Sequence, residues 1–536
     1  MRKFIIALSL SALILPASAQ ERLLGETAAM SASRKLGYAE QIIERYYLED
    51  VDADKLAEEA IKAMLLTLDP HSSYSDPEET TELTTNLGGN FSGIGVQFSM
   101  VNDTLVIIQP TSGGPSESVG ILPGDRILRA DNEVISGAGK SNADIIRVLR
   151  GPKGTPVNLT VERRGVDRPL QFRVVRNDIP LNSIDAAYMA DPTTGYIRLS
   201  RFAETSDQEF TDALKKLRKE GMKNLIIDLT DNGGGYLQSA GQLASHFLQK
   251  GDTITYTSSP KMGTNVLAAT KKGDFTDGRV VVMVNQYSAS ASEILSGAMQ
   301  DNDRGLIVGR RTFGKGLVQR PFPFPDGSMI KLTVSRYYTP SGRSIQKPYE
   351  LGHSDDYQKD ILHRYENGEF IDPSGFHFPD SLKFSTRYNH RTVYGGGGIM
   401  PDLFVPIDTV AYTDYYRDLV AKGIPNAYAL SYANDNRSDL LSHYPTEKAF
   451  LDDFEVTPEM LDGVIAAGKK DGVEYNAEQW HLSRQMVRTV IKGLIGRSLY
   501  DSTTYYKAVN PSLNPIYQAA LELINDPERY NSLLNP

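Results

Sequence analysis

A serine and a lysine carry the chemistry of this sequence, and both lie in the stretch VVVMVNQYSASASEILSGAMQDNDRGLIVGRRTFGKGLVQ, from Val280 to Gln319. Val280 to Val284 has the length and β-branched content of a buried strand. Ser and Ala alternate from Ser288 to Ser292, and Ile294, Leu295, Ala298 and Met299 then recur at the spacing of one apolar helix face. A serine where a strand turns into a helix is exposed, next to free backbone N–H groups and the positive end of the helix dipole. Leu306 to Gly309 gives another short strand, followed by Thr312-Phe313-Gly314-Lys315-Gly316. With Lys315 to Gln319 extended, residues 315, 317 and 319 share one face. These residue types point to acyl transfer. A serine hydroxyl is a weak nucleophile until a base takes its proton. A lysine is that base only when neutral, with its pKa well below the ordinary value of about 10.4. Burial and a nearby helix N-terminus would both disfavour the ammonium. Spacing alone leaves Ser288, Ser290 and Ser292 all open as the nucleophile, and the same residues also read as a small-residue turn beside a surface lysine.

A second constellation is Asp228-Leu229-Thr230-Asp231-Asn232-Gly233-Gly234-Gly235-Tyr236-Leu237. It sits between a buried strand, Asn224 to Leu229, and a helix with Leu237, Ala240, Ala244 and Phe247 on one face. Backbone amides at such a junction suit a developing oxyanion. A phosphate cradle is the competing use, but the Gly-Lys-Ser/Thr of a P-loop is missing. A plain glycine turn needs neither.

Ser-Ala-Ser-Ala-Ser-Glu followed by Thr-Phe-Gly-Lys-Gly-x-Val-Gln resembles the signature of the C-terminal processing peptidases, or tail-specific proteases. The resemblance implies that Ser290 is the nucleophile, that Lys315, 25 positions later, is its base, and that Gln319 orients the lysine. The glycine tract is similar to the family's Asp-Leu-Arg-x-Asn-x-Gly-Gly, which implies an oxyanion hole from the amides of Gly234 and Ala291. Thr230 stands where the family has arginine, and Gly233 leaves the choice of glycine open by one. Thr339-Pro340-Ser341-Gly342-Arg343-Ser344-Ile345-Gln346 matches the family again, but the Gly-Ile-x-Pro-Asp string that should follow comes only at Gly398. Residues of about 347–395 therefore read as an insertion. His353, His363, His377 and His390 lie in it without metal-type spacing, so no metal is expected and no cofactor.

These residues need a scaffold. With 536 residues the chain has room for three or four domains. A net charge of −10 argues against nucleic-acid and anionic-membrane partners. With 0 cysteines there are no disulfides or thiolate sites. Residues 1–19 read as a secretory leader: Arg2 and Lys3, an apolar core from Phe4 to Leu15 too short for a span, and Ala17-Ser18-Ala19. The mature protein is expected to be exported, periplasmic or in the cell envelope, and soluble.

Residues 20–87 are expected to be helical, with one apolar stripe of Tyr38, Ile42, Ile43 and Tyr46 and a second of Leu56, Ala60, Ala63 and Met64. The string Leu-Asp-Pro-His-Ser, with His71, resembles one in the N-terminal helical segment of the same peptidases, and the resemblance implies a structural rather than a catalytic histidine. From 88 to 178 the pattern turns to strands, with a capping-box helix from Ser141 carrying Ile145, Ile146 and Leu149. This order, and the loop Gly93-Ile94-Gly95-Val96, resemble a PDZ domain. The resemblance implies that the loop's N–H groups hold a peptide's terminal carboxylate while the peptide adds as a strand. Arg150 reads as a carboxylate ligand, a link between domains, or a solvated side chain. The peptidase core is expected over 179–407, with a second capping box at Ser206 to Glu209 and a hairpin turning at Pro325 to Ser328. Residues 408–536 read as a helical extension, a scaffold or dimerisation unit without chemistry of its own.

The expected fold is thus multidomain α+β: a helical segment, a PDZ domain, a crotonase/ClpP-like α/β core and a helical extension. The expected function is that of an exported serine endopeptidase that takes proteins by their C-termini, with a possible homodimer. Two alternatives stand against it. One is an inactive peptide-binding scaffold, which should have lost one of Ser290, Lys315 and Gln319. The other is a His–Asp–Ser protease, which would place its catalytic domain before the PDZ and carry a Gly-Asn-Ser-Gly-Gly string.

Overall fold

The computed structural model describes residues 31–101, 103–111, 113–372 and 378–536. The leader and His377 lie outside them. Helices α1 (Ala32–Tyr46) and α2 (Ala53–Leu66) begin behind Ser31 and Asp52, whose side chains accept the third-residue N–H. Their apolar stripes do not enter a core. Tyr38, Ile42, Ile43, Tyr46 and Met64 are all exposed, and only Leu65 of the two helices is buried. Strand β1 (Ser73–Ser75) follows, then α3 (Pro77–Gly88), opened by an Asp76–Glu79 capping box and closed by Gly89 at φ +74°.

Residues 90–180 build a small barrel-like unit. Strands β2 (Asn90–Gly93), β3 (Val96–Val101) and β4 (Thr104–Pro110) precede a short helix, α4 (Pro115–Ser118). Then come β5 (Arg126–Ala130), β6 (Glu133–Val134), α5 (Asn142–Leu149), β7 (Pro156–Glu162), β8 (Leu170–Val175) and β9 (Asn177–Pro180). The expected capping box forms between Ser141 and Asp144 and starts α5. Along β7 Val157, Leu159 and Val161 point into the core and the residues between them outward, the period-2 signature of a half-buried strand. The sheet runs β3-β4-β5-β7-β8, so β3 is an edge with one side unpaired, while β2 pairs with β9.

The next unit is built on a mostly parallel sheet ordered β10-β11-β12-β15-β16-β21. Its strands are β10 (Ile184–Met189), β11 (Thr194–Leu199), β12 (Asn224–Asp228), β15 (Val280–Val284), β16 (Leu306–Gly309) and β21 (Leu403–Phe404). Helices α6 (Ser206–Lys219), α7 (Leu237–Ser245) and α8 (Ala291–Asp301) cover one face. The Ser206–Glu209 capping box does not form. Thr205 is the N-cap, and Glu209 instead accepts from Thr205 Oγ1 (2.6 Å) and the Ser183 N–H (2.7 Å).

A second, antiparallel sheet runs β1-β18-β13-β14, with β17 also on β18. It contains β13 (Thr253–Ser259), β14 (Gly263–Ala268), β17 (Leu317–Pro323) and β18 (Met329–Tyr338). The segment expected as an insertion carries α9 (Ser354–Glu366) and a hairpin of β19 (Lys383–Ser385) and β20 (Thr392–Tyr394).

The extension is helical: α10 (Asp414–Ala421), α11 (Ile424–Asp435), α12 (Arg437–His443), α13 (Glu447–Asp453), α14 (Pro458–Lys470), α15 (Ala477–Leu499), α16 (Ser502–Leu513), α17 (Pro515–Asn525) and α18 (Pro527–Leu534). The earlier of these share a core around Phe450, Trp480 and Ile491. The last two pack on the uncovered face of the parallel sheet, where Ile516, Leu523, Ile524 and Tyr530 meet Tyr196, Ile226, Val281 and Met283. The alternation along β15 is therefore used fully: Val280, Val282 and Val284 face α8, and Val281 and Met283 face α17. No described helix is long and apolar enough to cross a membrane.

Candidate active site

Strand β15 delivers the chain to Asn285, and α8 takes it away at Ala291. Between them Ser290 adopts φ +56° and ψ −112°, a conformation that costs a non-glycine residue about 1–3 kcal/mol. The three serines of the stretch have different surroundings. Ser288 and Ser292 are fully buried, and their hydroxyls donate to the Leu229 and Asn232 carbonyls, each at 2.8 Å. Ser290 is half-exposed. The Ala291 N–H, an orphan donor at the start of α8, makes no hydrogen bond among the described residues.

The glycine loop lies against this turn. A Cβ on Gly234, which has φ +105°, would stand 2.8 Å from Ser290 Cβ and 3.0 Å from the Ala291 nitrogen. The Gly234 N–H donates to Asn232 Oδ1 (2.9 Å), so in this arrangement it is engaged within its own loop. Asn232 ties the loop to the serine turn through its carbonyl, which accepts from the Ala289 N–H (3.0 Å) and Ser292 Oγ.

Lys315 precedes β17 and is half-buried. Its backbone is bound to that of Ser290 from two directions. The fully buried Glu293 accepts from the Ser290 and Lys315 N–H groups, both at 2.8 Å, and from Thr312 Oγ1 (2.5 Å) and the Gly314 N–H (2.7 Å). The buried Tyr337 hydroxyl donates to the Lys315 carbonyl (2.6 Å) and lies 3.1 Å from that of Ser290. Burial pushes the Glu293 carboxyl up, against the pull of its four donors. The Lys315 amine is lowered to about 8, by burial first and the Lys331 charge next, against Glu293 and Asp69. No hydrogen bond joins Ser290 Oγ to Lys315 Nζ among the described residues.

The register between β17 and β18 shifts here: Val318 pairs with Ser335 and Gln319 with Thr333, so the extra residue of the bulge is Val334 in β18. Gln319 faces Thr333, and its Nε2 donates to Thr333 Oγ1 (3.2 Å). Thr333 Oγ1 donates to Asp69 Oδ1 (2.8 Å). His71 lies beside this group, its Nε2 2.9 Å from the Tyr357 hydroxyl of α9. Its pKa falls to about 3, through burial and then the charge of Lys315. Of the other histidines, His353 precedes α9, His363 lies on it and His390 lies between β19 and β20.

In the second unit the Gly93–Val96 loop follows β2. The N–H groups of Ile94 and Gly95 carry no hydrogen bond among the described residues, whereas the Ile94 carbonyl accepts from Ser116 and that of Gly95 from Thr111. Phe98, Met100 and Val148 add partly buried apolar surface around β3 and α5. Arg150 stacks over Phe91 (4.6 Å) next to Gly93.

Residues 193–358 match peptidase family S41, residues 92–174 the PDZ domain, and 15–80 the N-terminal domain of the activating protease CtpB. Residues 415–501 match a family of unknown function, DUF8443. The chain is 38% identical over 305 residues to the carboxy-terminal-processing protease of Bartonella bacilliformis, covering 56% of this chain and 69% of that protein. It is 34% identical over 347 residues to the carboxy-terminal processing protease CtpA of Bacillus subtilis, covering 64% and 73%. The chain belongs to the carboxy-terminal processing proteases. Among solved structures it is similar to the photosystem II D1 C-terminal processing protease, with 26% identity, a TM-score of 0.32, and coverage of 59% of this chain and 91% of that one. It is a serine-type peptidase with a PDZ domain, and its architecture is multidomain α+β as expected.

Several residues that organise this processing protease were not singled out from the sequence. Glu293 sits inside the serine motif, and a buried glutamate three residues after a helix-start serine was the available clue. Tyr337 and Tyr357 reach the site only through the fold. Arg198, on β11, reaches the glycine tract from the neighbouring strand. It donates to the buried Asp228 carboxylate and to Thr230 Oγ1, both at 2.8 Å, and stacks on Tyr506 of α16 (5.1 Å).

Proposed function

We propose that the chain is an exported endopeptidase that holds the C-terminal end of a protein in its PDZ groove and cleaves it with a Ser290–Lys315 dyad. The leader-like residues 1–19 are the ground for export. The free Ile94 and Gly95 amides suit a terminal carboxylate, and the open edge of β3 suits an added strand. The apolar side chains around β3 and α5 favour an apolar last residue.

In the proposed reaction the neutral Lys315 takes the Ser290 proton as Oγ attacks the scissile carbonyl. The Ala291 N–H stabilises the oxyanion, joined by the Gly234 N–H once it leaves Asn232. Collapse expels the amine, which takes the proton from Lys315. Water then attacks the acyl-enzyme, with Lys315 again as base. Two local movements must precede turnover: release of the Gly234 amide and approach of Lys315 Nζ to Ser290 Oγ.

The observation that carries this reading is the double tie between Ser290 and Lys315, through Glu293 on the N–H side and Tyr337 on the carbonyl side. It holds two residues 25 positions apart at one place. The test incubates the mature protein, Ser290→Ala and Lys315→Ala with an unfolded protein ending in apolar residues, and reads fragments by mass spectrometry. Cleavage by the parent and loss in both variants is the expected result. Undiminished cleavage by Ser290→Ala would sink the assignment.

A further inference from the structure

We propose that Asp69, in the amino-terminal segment, is a positioning residue that sets which way the Gln319 amide faces and so orients Lys315. The inference rests on the Ser290–Lys315 reading above and extends it to the group that aims the base.

The argument is one of donors and acceptors. Asp69 is buried and accepts four hydrogen bonds: from the His71 and Ser72 N–H groups (3.0 and 3.2 Å), Ser72 Oγ (2.6 Å) and Thr333 Oγ1 (2.8 Å). Burial pushes its carboxyl up, but these bonds outweigh that and hold it below the ordinary range. An ionised carboxylate only accepts. The single Thr333 hydroxyl proton is therefore committed to Asp69, and toward Gln319 Thr333 Oγ1 has only lone pairs to offer. At 3.2 Å Gln319 must turn its NH2 to Thr333. Its Oε1 then faces away and is left to accept a hydrogen bond from the Lys315 amine. An amine that donates in this direction aims its lone pair elsewhere, toward the serine.

The placement is held from two sides. The bulge at Val334 of β18 sets Gln319 opposite Thr333. Segment 69–75 is hooked on β18 at the same residue, where Ser72 Oγ accepts the Thr333 N–H (3.1 Å) and β1 continues as an added strand. The negative charge of Asp69 also reaches Lys315 and raises its pKa, so the relay and the base share one pocket. The other charged or titratable groups facing Lys315 are Lys331, Glu293 and His71.

The test uses the full mature chain. Thr333→Val keeps the shape and branching of a strand residue but removes the hydroxyl, and Thr333→Ser keeps the hydroxyl. Thr333→Val should lower kcat about tenfold with KM within about twofold, and Thr333→Ser should recover kcat to within about threefold of the parent. Asp69→Asn should lower kcat and also move the acid limb of kcat/KM to lower pH, because the charge that raises Lys315 is gone. Thr333→Val, which keeps that charge, should leave the limb where it is. Equal losses in Thr333→Val and Thr333→Ser, tracking a fall in Tm and with no limb shift in Asp69→Asn, would overturn the proposal in favour of mere scaffolding. Ser290→Ala runs alongside. If it still cleaves, the dyad reading falls; if it is inert while Thr333→Val cleaves at the parental rate, the relay alone falls.

Discussion

Lys315 has to be both close to a carboxylate-rich site and uncharged. Glu293 and Asp69 favour its ammonium form, while burial and Lys331 oppose it, and the balance is a pKa of about 8. Only the neutral amine can accept the serine proton, so activity should be lost as pH falls through about 8 and level off above it. Lys331, opposite Ser73 on β18, is a lever on this limb. Its positive charge depresses Lys315, so Lys331→Met should raise the Lys315 pKa and move the acid limb of kcat/KM to higher pH. A pH–rate profile of parent and variant checks the direction, and an unmoved limb would mean that Lys315 is not the titrating base. At this scale much of the site was legible. Residue types and spacing picked out the serine run, Lys315 and the glycine tract, because a strand–serine–helix junction leaves a local pattern, while the choice of Ser290 among the three serines came from the family resemblance. The committed hydroxyls of Ser288 and Ser292 were not legible, since their acceptors are carbonyls some sixty positions away. Nor was Arg198, which reaches Asp228 from the neighbouring strand.

Elements succeed or fail as sequence signals according to where their partners lie. The α5 capping box is local and reads directly, whereas the one at Ser206 was displaced because Ser183 and Thr205 compete for Glu209. The register shift opposite Gln319 comes from an extra residue in β18, Val334, which no run of residues within β17 can announce. The same holds for α9. Its sequence suggested only an insertion, yet Tyr357 lies beneath the base loop: its hydroxyl is 2.9 Å from His71 Nε2, 3.2 Å from Gln346 Nε2 and 3.5 Å from the Gly314 carbonyl. Its ring also packs edge-on to Phe313. Tyr357→Phe keeps that packing and removes the hydroxyl, leaving His71 and Gln346 short of a partner at a cost of about 1–3 kcal/mol. We expect kcat to fall several-fold while far-UV circular dichroism is unchanged. Parental kcat in a folded variant would show that α9 is not part of the catalytic apparatus.

Across the whole molecule, the carboxy-terminal helices have the role least visible in the sequence. They read as a polar, helical appendix, but a parallel sheet needs both faces covered, and α17 and α18 cover the one that α6, α7 and α8 do not. The link continues to the site: Tyr506 of α16 stacks on Arg198, which holds Asp228 at the head of the glycine loop. The Tyr530 hydroxyl donates to the Val280 carbonyl (2.9 Å), at the base of the strand that leads to Ser290. The size of the contribution decides what truncation does. Ile516, Leu523 and Ile524 are buried, and each such side chain contributes about 1.5–3 kcal/mol. Together they are worth roughly 5–9 kcal/mol, comparable to the whole stability of a typical domain at about 5–15 kcal/mol. A chain ending after Leu513 should therefore fail to give a folded catalytic core, although all of Ser290, Lys315, Gln319 and Gly234 remain. Size-exclusion chromatography, near-UV circular dichroism and cleavage of an unfolded substrate measure this. A truncated chain that stays monodisperse and cleaves at the parental rate would make the extension an independent module, and the covered sheet face would need another explanation.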